Sequence, residues 1–257
     1  MRQAALDAFI PLTVAFEGGY IGWMFPDVKG LVSTGFGLLL DPVGMALTLP
    51  WRRPDGALAT REEIVADWAN VKNHPGAARL GHKSVEHVAR LRLDREGMDQ
   101  AVAGKLRLNE AILCGGFQDW DSWPADAQLG AMSMAWAVGP SFWKPTAGRC
   151  YFPNLTAALR AKDFRTASVE CFLPEEKTIS GLRLRNRANR ILFTNAAVAQ
   201  EEGLDPEELF YPRSLAEADT TPKVAMIRPP PPAPDFATVH PLRYPFPDDD
   251  DGPPEAA

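Results

Sequence analysis

Apolar residues recur at helical spacing over much of the first 200 positions, and clusters of Gly, Pro and Asp interrupt them. Residues 3–17 are the first such stretch, and their apolar positions fall on one face of a helix. Pro11 lies inside this stretch and predicts either a kink or the start of a second short helix. The apolar face consists of Leu6, Phe9, Ile10, Thr13 and Phe16.

Residues 20–40 follow a different pattern. Six glycines lie in and beside this stretch, and they allow sharp turns and close approach of the backbone. We therefore predict a small β-hairpin lobe that stands over a cleft. The glycines are Gly18, Gly19, Gly22, Gly30, Gly35 and Gly37.

Start and stop signals predict further helices downstream. Thr60 and Glu63 form a capping box at the start of one helix. Asp94 marks the start of another helix. Pro124 and Gly139 bound an apolar segment whose small residues would let neighbouring helices approach closely. The small residues are Ala127, Gly130, Ala131, Ser133 and Ala135.

The last predicted helices lie between residues 154 and 195. Asn154 is expected to cap a helix that Asp163 interrupts, and Ser180 begins the final one. Four arginines in this final segment form a basic stripe that would touch acidic groups of a ligand or simply pair with acids on a solvated face. They are Arg183, Arg185, Arg187 and Arg190. Together the patterns predict an α+β fold that is mostly helical.

Composition divides the chain of 257 residues, of which 46% are apolar, into two parts. Residues 1–213 have enough apolar content for one folded domain. Residues 214–257 hold an Asp run and much of the proline, with eleven of the 24 prolines between Pro222 and Pro254. Such a segment buries too little apolar area to fold alone. We expect an extended tail, draped on the body or bound to a partner.

The net charge of -6 is concentrated in that tail, which carries -5, whereas residues 1–213 carry -1. A nearly neutral body argues against a nucleic-acid partner. No continuous apolar run reaches the length of a membrane span. The weak apolar run at the N-terminus contains Asp7 and ends beside Glu17, so we expect synthesis in the cytoplasm without an export signal of its own.

The cysteines and histidines do not form a recognisable ligand set. Three widely spaced cysteines without a CxxC pair favour reduced thiols, with one disulfide as the alternative. His82 and His87 are five residues apart and therefore lie on different helical faces. We predict neither a metal nor a cofactor.

Candidate chemistry lies in residues 16–40, where two acids and a hydroxyl fall within seventeen residues. Glu17 ends an apolar run beside aromatic residues, so burial would raise its pKa, whereas Asp27 follows in a polar turn and would stay charged. Cleavage of a glycosidic bond needs such a protonated and ionised pair, roughly 6.5 to 9.5 Å apart when water attacks directly. The same residues also suit a plain hairpin in which Glu17 caps a helix end and Asp27 stabilises a turn.

The order of these residues resembles the E-x8/9-D-x5-T-x-G-x-G signature of the phage-type lysozymes, glycoside hydrolase family 24. Glu17, Asp27, Ser33, Gly35 and Gly37 occupy its positions, with Ser33 where Thr is usual. The segments 123–139 and 180–193 resemble the central and last helices of that family. The resemblance covers roughly residues 5–195 and implies a lysozyme-like fold, a small β lobe packed on a helical lobe.

The resemblance also implies roles. Glu17 would be the general acid, Asp27 would guide the attacking water and Ser33 would hold that water. Thr34 is the alternative for the third position, although neighbours on a strand face opposite sides. We also predict that Thr34, Gly35 and Arg187 contribute to substrate binding.

The implied activity is hydrolysis of the β-1,4 bond between N-acetylmuramic acid and N-acetylglucosamine in peptidoglycan. Two alternatives remain open: a lytic transglycosylase, and a catalytically silent wall-binding or structural component of a phage or secretion particle. We expect glycan strands as the ligand. The protein would reach the periplasm through a holin pore or by injection, in which case a delivery apparatus and an immunity protein are further expected partners.

Overall fold

The computed structural model describes residues 1–217 except 18, 28, 76, 146–150 and 175–179. In this part the fold is mostly helical with one small antiparallel sheet, which confirms the predicted α+β class at that level. The predicted tail beyond residue 217 lies outside the described residues. In sequence order the helices are α1 Gln3–Glu17, α2 Arg61–Lys72, α3 Ala77–Leu80, α4 Arg95–Cys114, α5 Ala125–Val138, α6 Pro153–Arg160, α7 Phe164–Glu170 and α8 Ser180–Glu202.

The sheet lies between α1 and α2 in the chain and has the strand order β1-β2-β3. Its strands are β1 Phe25–Pro26, β2 Val32–Thr34 and β3 Leu38–Leu39. Phe25 pairs with Ser33 across one ladder, and Ser33 pairs with Leu39 across the other. Both connections are tight turns, so Asp27 and Gly37 lie at opposite ends of the central strand.

Helix α5 forms the centre of the helical body. Every residue from Ala125 to Ala135 is buried, as expected for a helix that other elements surround. A Cβ atom at Gly130 would lie 3.0 Å from the ring of Phe193 on α8, so the predicted close approach of a neighbouring helix is confirmed. The helix has Pro124 as its N-cap and Gly139 as its C-cap, as the sequence predicts.

A buried carboxylate on α5 fixes the segment that follows α8. Asp126 accepts hydrogen bonds from the backbone N–H groups of Phe210 and Tyr211 and from the amide of Asn195. The side-chain oxygen of Asn195 accepts a hydrogen bond from the backbone of Leu215, which begins a 3-10 turn, Leu215–Glu217. The start of the predicted tail is therefore tied to the helical body.

Several local signals are confirmed and two are corrected. The capping box of Thr60 and Glu63 is present at the start of α2, and Asp94 and Asp163 cap α4 and α7. Pro11 lies inside the single helix α1, so no second helix begins there. Asn154 is not a cap, because Pro153 is already the first residue of α6 and fits that position without needing an N–H group.

Candidate active site

Glu17 is the last residue of α1, and its carboxylate is bound by an arginine 168 residues further along the chain. Oε1 accepts a hydrogen bond of 2.5 Å from the guanidinium of Arg185 on α8. The Glu17 side chain is 34% exposed, whereas that of Arg185 is only 1% exposed. One oxygen of the carboxylate is therefore held from the protein side while the residue still reaches solvent.

The guanidinium group of Arg185 contacts helices α1 and α5. Its Nη1 donates to the backbone oxygen and to the hydroxyl of Ser133 on α5, at 3.1 and 3.2 Å. Its guanidinium carbon lies 4.8 Å from the centre of the Phe16 ring. The prediction that Arg185 belongs to an exposed stripe is wrong, because on α8 it faces α1 and α5, whereas Arg183, Arg187 and Arg190 are exposed.

The second oxygen of Glu17 faces the turn between β2 and β3. A Cβ atom at Gly37 would lie 3.6 Å from Oε2 of Glu17 and 4.0 Å from the indole nitrogen of Trp136. That nitrogen donates to the backbone oxygen of Phe36 at 3.4 Å, and the Trp136 ring packs against Phe9 and Phe36. The turn of the sheet thus approaches the end of α1 at the carboxyl group of Glu17.

Burial raises the pKa of Glu17 above the usual carboxylic range, and the neighbouring guanidinium of Arg185 opposes that rise by attraction and hydrogen bonding. Desolvation is the larger of these influences. The predicted direction of the shift is therefore confirmed. A carboxyl group with a raised pKa is suited to donating a proton near neutral pH.

Asp27 lies at the other end of the sheet, in the turn between β1 and β2. Its Oδ1 accepts hydrogen bonds of 2.8 Å from the backbone N–H groups of Lys29 and Leu31. Its backbone N–H donates to the oxygen of Leu31, which extends the ladder by one pair. In the described part of the chain Oδ2 of Asp27 accepts no hydrogen bond, and the residue is partly exposed.

Ser33 and Thr34 are neighbours on β2 and face opposite sides of the sheet. The Thr34 hydroxyl donates to the backbone oxygens of Ile21 and Trp23, both at 3.1 Å, and is completely buried. Within the described residues the hydroxyl of Ser33 makes no hydrogen bond. The register and the pleat place Ser33 on the same face as Asp27. The structure therefore gives Thr34 a structural contact and leaves the hydroxyl of Ser33 without one.

The two remaining predicted site residues, Gly35 and Arg187, lie at the sheet and on α8 respectively. Gly35 lies in the β2–β3 turn with φ +63°, where a Cβ atom would lie 2.6 Å from the end of the Met98 side chain. Arg187 is exposed and lies two residues, about 200° of helix, from Arg185. Its charge lowers the pKa of Tyr211, which burial raises overall. The structure does not bring Arg187 to Glu17.

Arg185 is the site residue that the sequence did not single out. It appeared among four arginines in eight positions, and nothing in that spacing distinguished it. The one available signal was its helical phase, since Arg185 falls with Asn186, Asn189 and Asn195 among the buried positions of α8. No hydrogen bond in the described part joins Glu17, Asp27 and Ser33 to one another.

Other features of the described residues add no ligand set at this site. They contain no group of three or more His, Cys, Asp or Glu side chains that could hold a metal ion. Cys114 and Cys171 are free thiols. No helix among these residues combines the length and apolarity that crossing a bilayer requires. Comparison of the chain with protein-family models, characterised proteins and solved structures finds no match.

Proposed function

We propose that this protein is a peptidoglycan hydrolase of the lysozyme type, with a lysozyme-like arrangement of a small β lobe on a helical body. Glu17 would protonate the leaving oxygen of the β-1,4 bond between N-acetylmuramic acid and N-acetylglucosamine. The observation that carries the proposal is the environment of this carboxyl group. It is partly exposed, its pKa is raised, and it lies between a buried arginine and a glycine turn.

The positions of Asp27 and Ser33 on the sheet support a second role, the binding of the attacking water. Oδ1 of Asp27 is held by two backbone N–H groups, whereas Oδ2 accepts no hydrogen bond within the described chain. Ser33, on the same face, has a hydroxyl without a hydrogen bond in that part of the chain. A water molecule held by these two groups would attack the sugar directly, and we expect inversion of configuration, because a bound water needs the wider carboxyl spacing.

Replacing Glu17 by Gln tests the proposal. The substitution keeps the shape of the side chain and removes the acid, so we expect wall-degrading activity to fall by about 10²–10⁴-fold, the usual contribution of a general acid. Release of reducing sugar from purified peptidoglycan measures the activity. Glu201→Gln is the matched control, because Glu201 lies near the end of α8 in an exposed ion pair with Arg165. Full activity in Glu17→Gln would remove Glu17 from the mechanism.

A lytic transglycosylase is the second candidate. It would rely on Glu17 alone, and the described contacts of Asp27 are those of an ordinary turn residue. Mass spectrometry of the digested wall separates the two activities, since a hydrolase leaves reducing ends and a transglycosylase leaves anhydro ends. Tight pelleting with peptidoglycan without any released sugar would instead identify a silent wall-binding protein.

A further inference from the structure

A solvent-open surface cavity of about 490 Å³ lies at the C-terminal end of α2, and its lining does not include Glu17. Its size falls in the range of small-molecule sites. Its polar lining consists of donor-rich side chains, two carboxamides, two imidazoles and one guanidinium, and it includes no carboxylate. These residues are Asn70, Asn73, His74, His87 and Arg90.

The charge of this region contrasts with that of the whole chain. Residues 70–92 contain five basic residues and one acidic residue, whereas the chain as a whole has a net charge of -6. Three of the four histidines also lie in this segment. Of the five basic residues Arg90 alone lines the cavity, and a concave surface that holds a positive charge without a carboxylate attracts negative ions. The cavity therefore favours an anion.

The side chains of the lining are arranged for an external ligand. The rings of His74 and His87 lie edge to face with their centres 5.7 Å apart. The guanidinium of Arg90 is exposed and makes no hydrogen bond or ion pair in the described part of the chain. Asp67 has both oxygens occupied by the backbone N–H groups of Arg90 and Leu91. Arg90 is thus held by its backbone, and its exposed side chain has only a longer-range attraction to Asp67.

The cavity also belongs to the lobe that carries Asp27. Lys72, the last residue of α2, donates to the backbone oxygen of Gly30 at 2.8 Å and pairs with Asp41 beside the sheet. Trp68 donates to the backbone oxygen of Leu40 at 3.0 Å. These contacts fix the end of α2, which also lines the cavity, against the β1–β2 turn.

We propose that this cavity binds a free carboxylate of a peptidoglycan stem peptide. Arg90 would form the charged hydrogen bonds, and the imidazoles and amides would donate the remaining ones. The choice of a stem peptide rests on the proposed function, because these peptides are the carboxylate-bearing branches of that polymer.

Direct binding to the full-length chain tests the proposal without any catalytic step. The probe is a stem tetrapeptide with free carboxylates, and the matched probe is the same peptide with its carboxylates amidated. We expect the free peptide to shift the ring-proton NMR signals of His74 and His87 saturably and the amidated peptide to leave them unchanged. Inorganic phosphate forms a third arm. Saturation by phosphate without a response to the free peptide would overturn the assignment to carboxylate.

Two arginine variants decide whether the cavity itself or the general positive charge of residues 70–92 causes the peptide to bind. Arg90→Ala should weaken binding of the free peptide about tenfold, the equivalent of one charged hydrogen bond. Arg79→Ala removes the same charge from an exposed residue of the same segment outside the cavity and should change affinity by less than about twofold. Equal losses in the two variants would overturn the proposal. His87→Ala provides a second cavity variant if Arg90→Ala does not fold.

Wall cleavage distinguishes a failure of this inference from a failure of the proposed function. Loss of cleavage in Glu17→Gln combined with no peptide binding would refute the cavity alone. Peptide binding that persists while Glu17→Gln still cleaves the wall would refute the proposed mechanism alone. If the cavity binds the stem peptide and the proposed function is also correct, Arg90→Ala should raise KM for peptide-bearing glycan and leave kcat unchanged.

Discussion

The two ends of the small sheet are held in opposite ways. At one end Glu17 is bound by Arg185, 168 residues away, and is approached by the β2–β3 turn and by Trp136 of the central helix. At the other end Asp27 is bound by residues two and four positions along the chain. The first carboxyl group thus has an environment made by tertiary packing and a raised pKa. The second is fixed by its own turn.

This difference has a chemical consequence. A general acid needs an environment that disfavours its charge, and for Glu17 burial by distant elements provides it. A carboxylate that orients water needs a fixed position and access to solvent, which a hydrogen-bonded turn supplies locally. The contrast predicts that substitutions in the Glu17–Arg185 pair alter both stability and the pKa of the acid, whereas substitution of the Asp27 carboxylate alters activity alone.

The largest expected effect on stability is that of Arg185→Met. It leaves Glu17 without its cation and removes the bonds to Ser133, so we expect a loss of about 3 kcal/mol in the free energy of unfolding, the low end for a broken buried pair. Denaturant unfolding measures the loss. Arg187→Met, on the exposed face of the same helix, should change stability by less than about 0.5 kcal/mol.

The same variant has a pH signature. Arg185 lowers the pKa of Glu17, so its removal raises that pKa further. A general acid works while protonated, and activity is lost as pH rises through its pKa. The alkaline limb of the activity profile should therefore move to higher pH in Arg185→Met. A limb that stays in place or moves to lower pH would contradict the role of this pair.

The glycines of the two turns provide the next comparison. Gly35→Ala should cost about 2 kcal/mol, because a Cβ atom there has an unfavourable positive φ and would press on Met98. Gly30→Ala has φ +72° and open space around it, so the strain alone should cost about 1 kcal/mol. Equal costs would show that Met98 moves aside freely. Thermal unfolding of both variants makes the measurement.

A smaller effect separates the two hydroxyls of β2. Thr34→Val removes the bonds to Ile21 and Trp23 and should cost about 1 kcal/mol, with activity reduced only in proportion to the folded fraction. Ser33→Ala should leave stability within about 0.5 kcal/mol and lower the rate of wall cleavage. The reverse pattern would transfer the water-holding role to Thr34.

The smallest effect on stability is that of Asp27→Asn. The amide oxygen of Asn can accept the same two backbone hydrogen bonds, so the free energy of unfolding should change by less than about 0.5 kcal/mol. The loss of the negative charge should nevertheless lower hydrolysis by about 10²-fold or more. Unchanged hydrolysis in a folded Asp27→Asn would leave the transglycosylase, which needs only Glu17, as the better candidate.

Much of the fold followed from short-range signals. The capping box at Thr60, the helix start at Asp94, the interruption at Asp163 and the bounds of α5 were predictable because each depends on nearby residues in the chain. The same kind of signal was interpreted wrongly at Asn154, and of the two alternatives for Pro11 the start of a second helix is excluded. Pro11 is an exposed residue inside the continuous helix α1, and Pro153 takes the position that leaves Asn154 no capping role.

The sequence by itself determined which side chains are available for chemistry and the order of Glu17, Asp27 and Ser33 around a glycine-rich hairpin. It also determined the local contacts of Asp27, since its bonding partners are its near neighbours. Only the tertiary structure decided the partner of Glu17. An ion pair across 168 residues depends on how α1, α5 and α8 pack. Which of the four arginines of α8 is buried can be decided only when the neighbours of that helix are known.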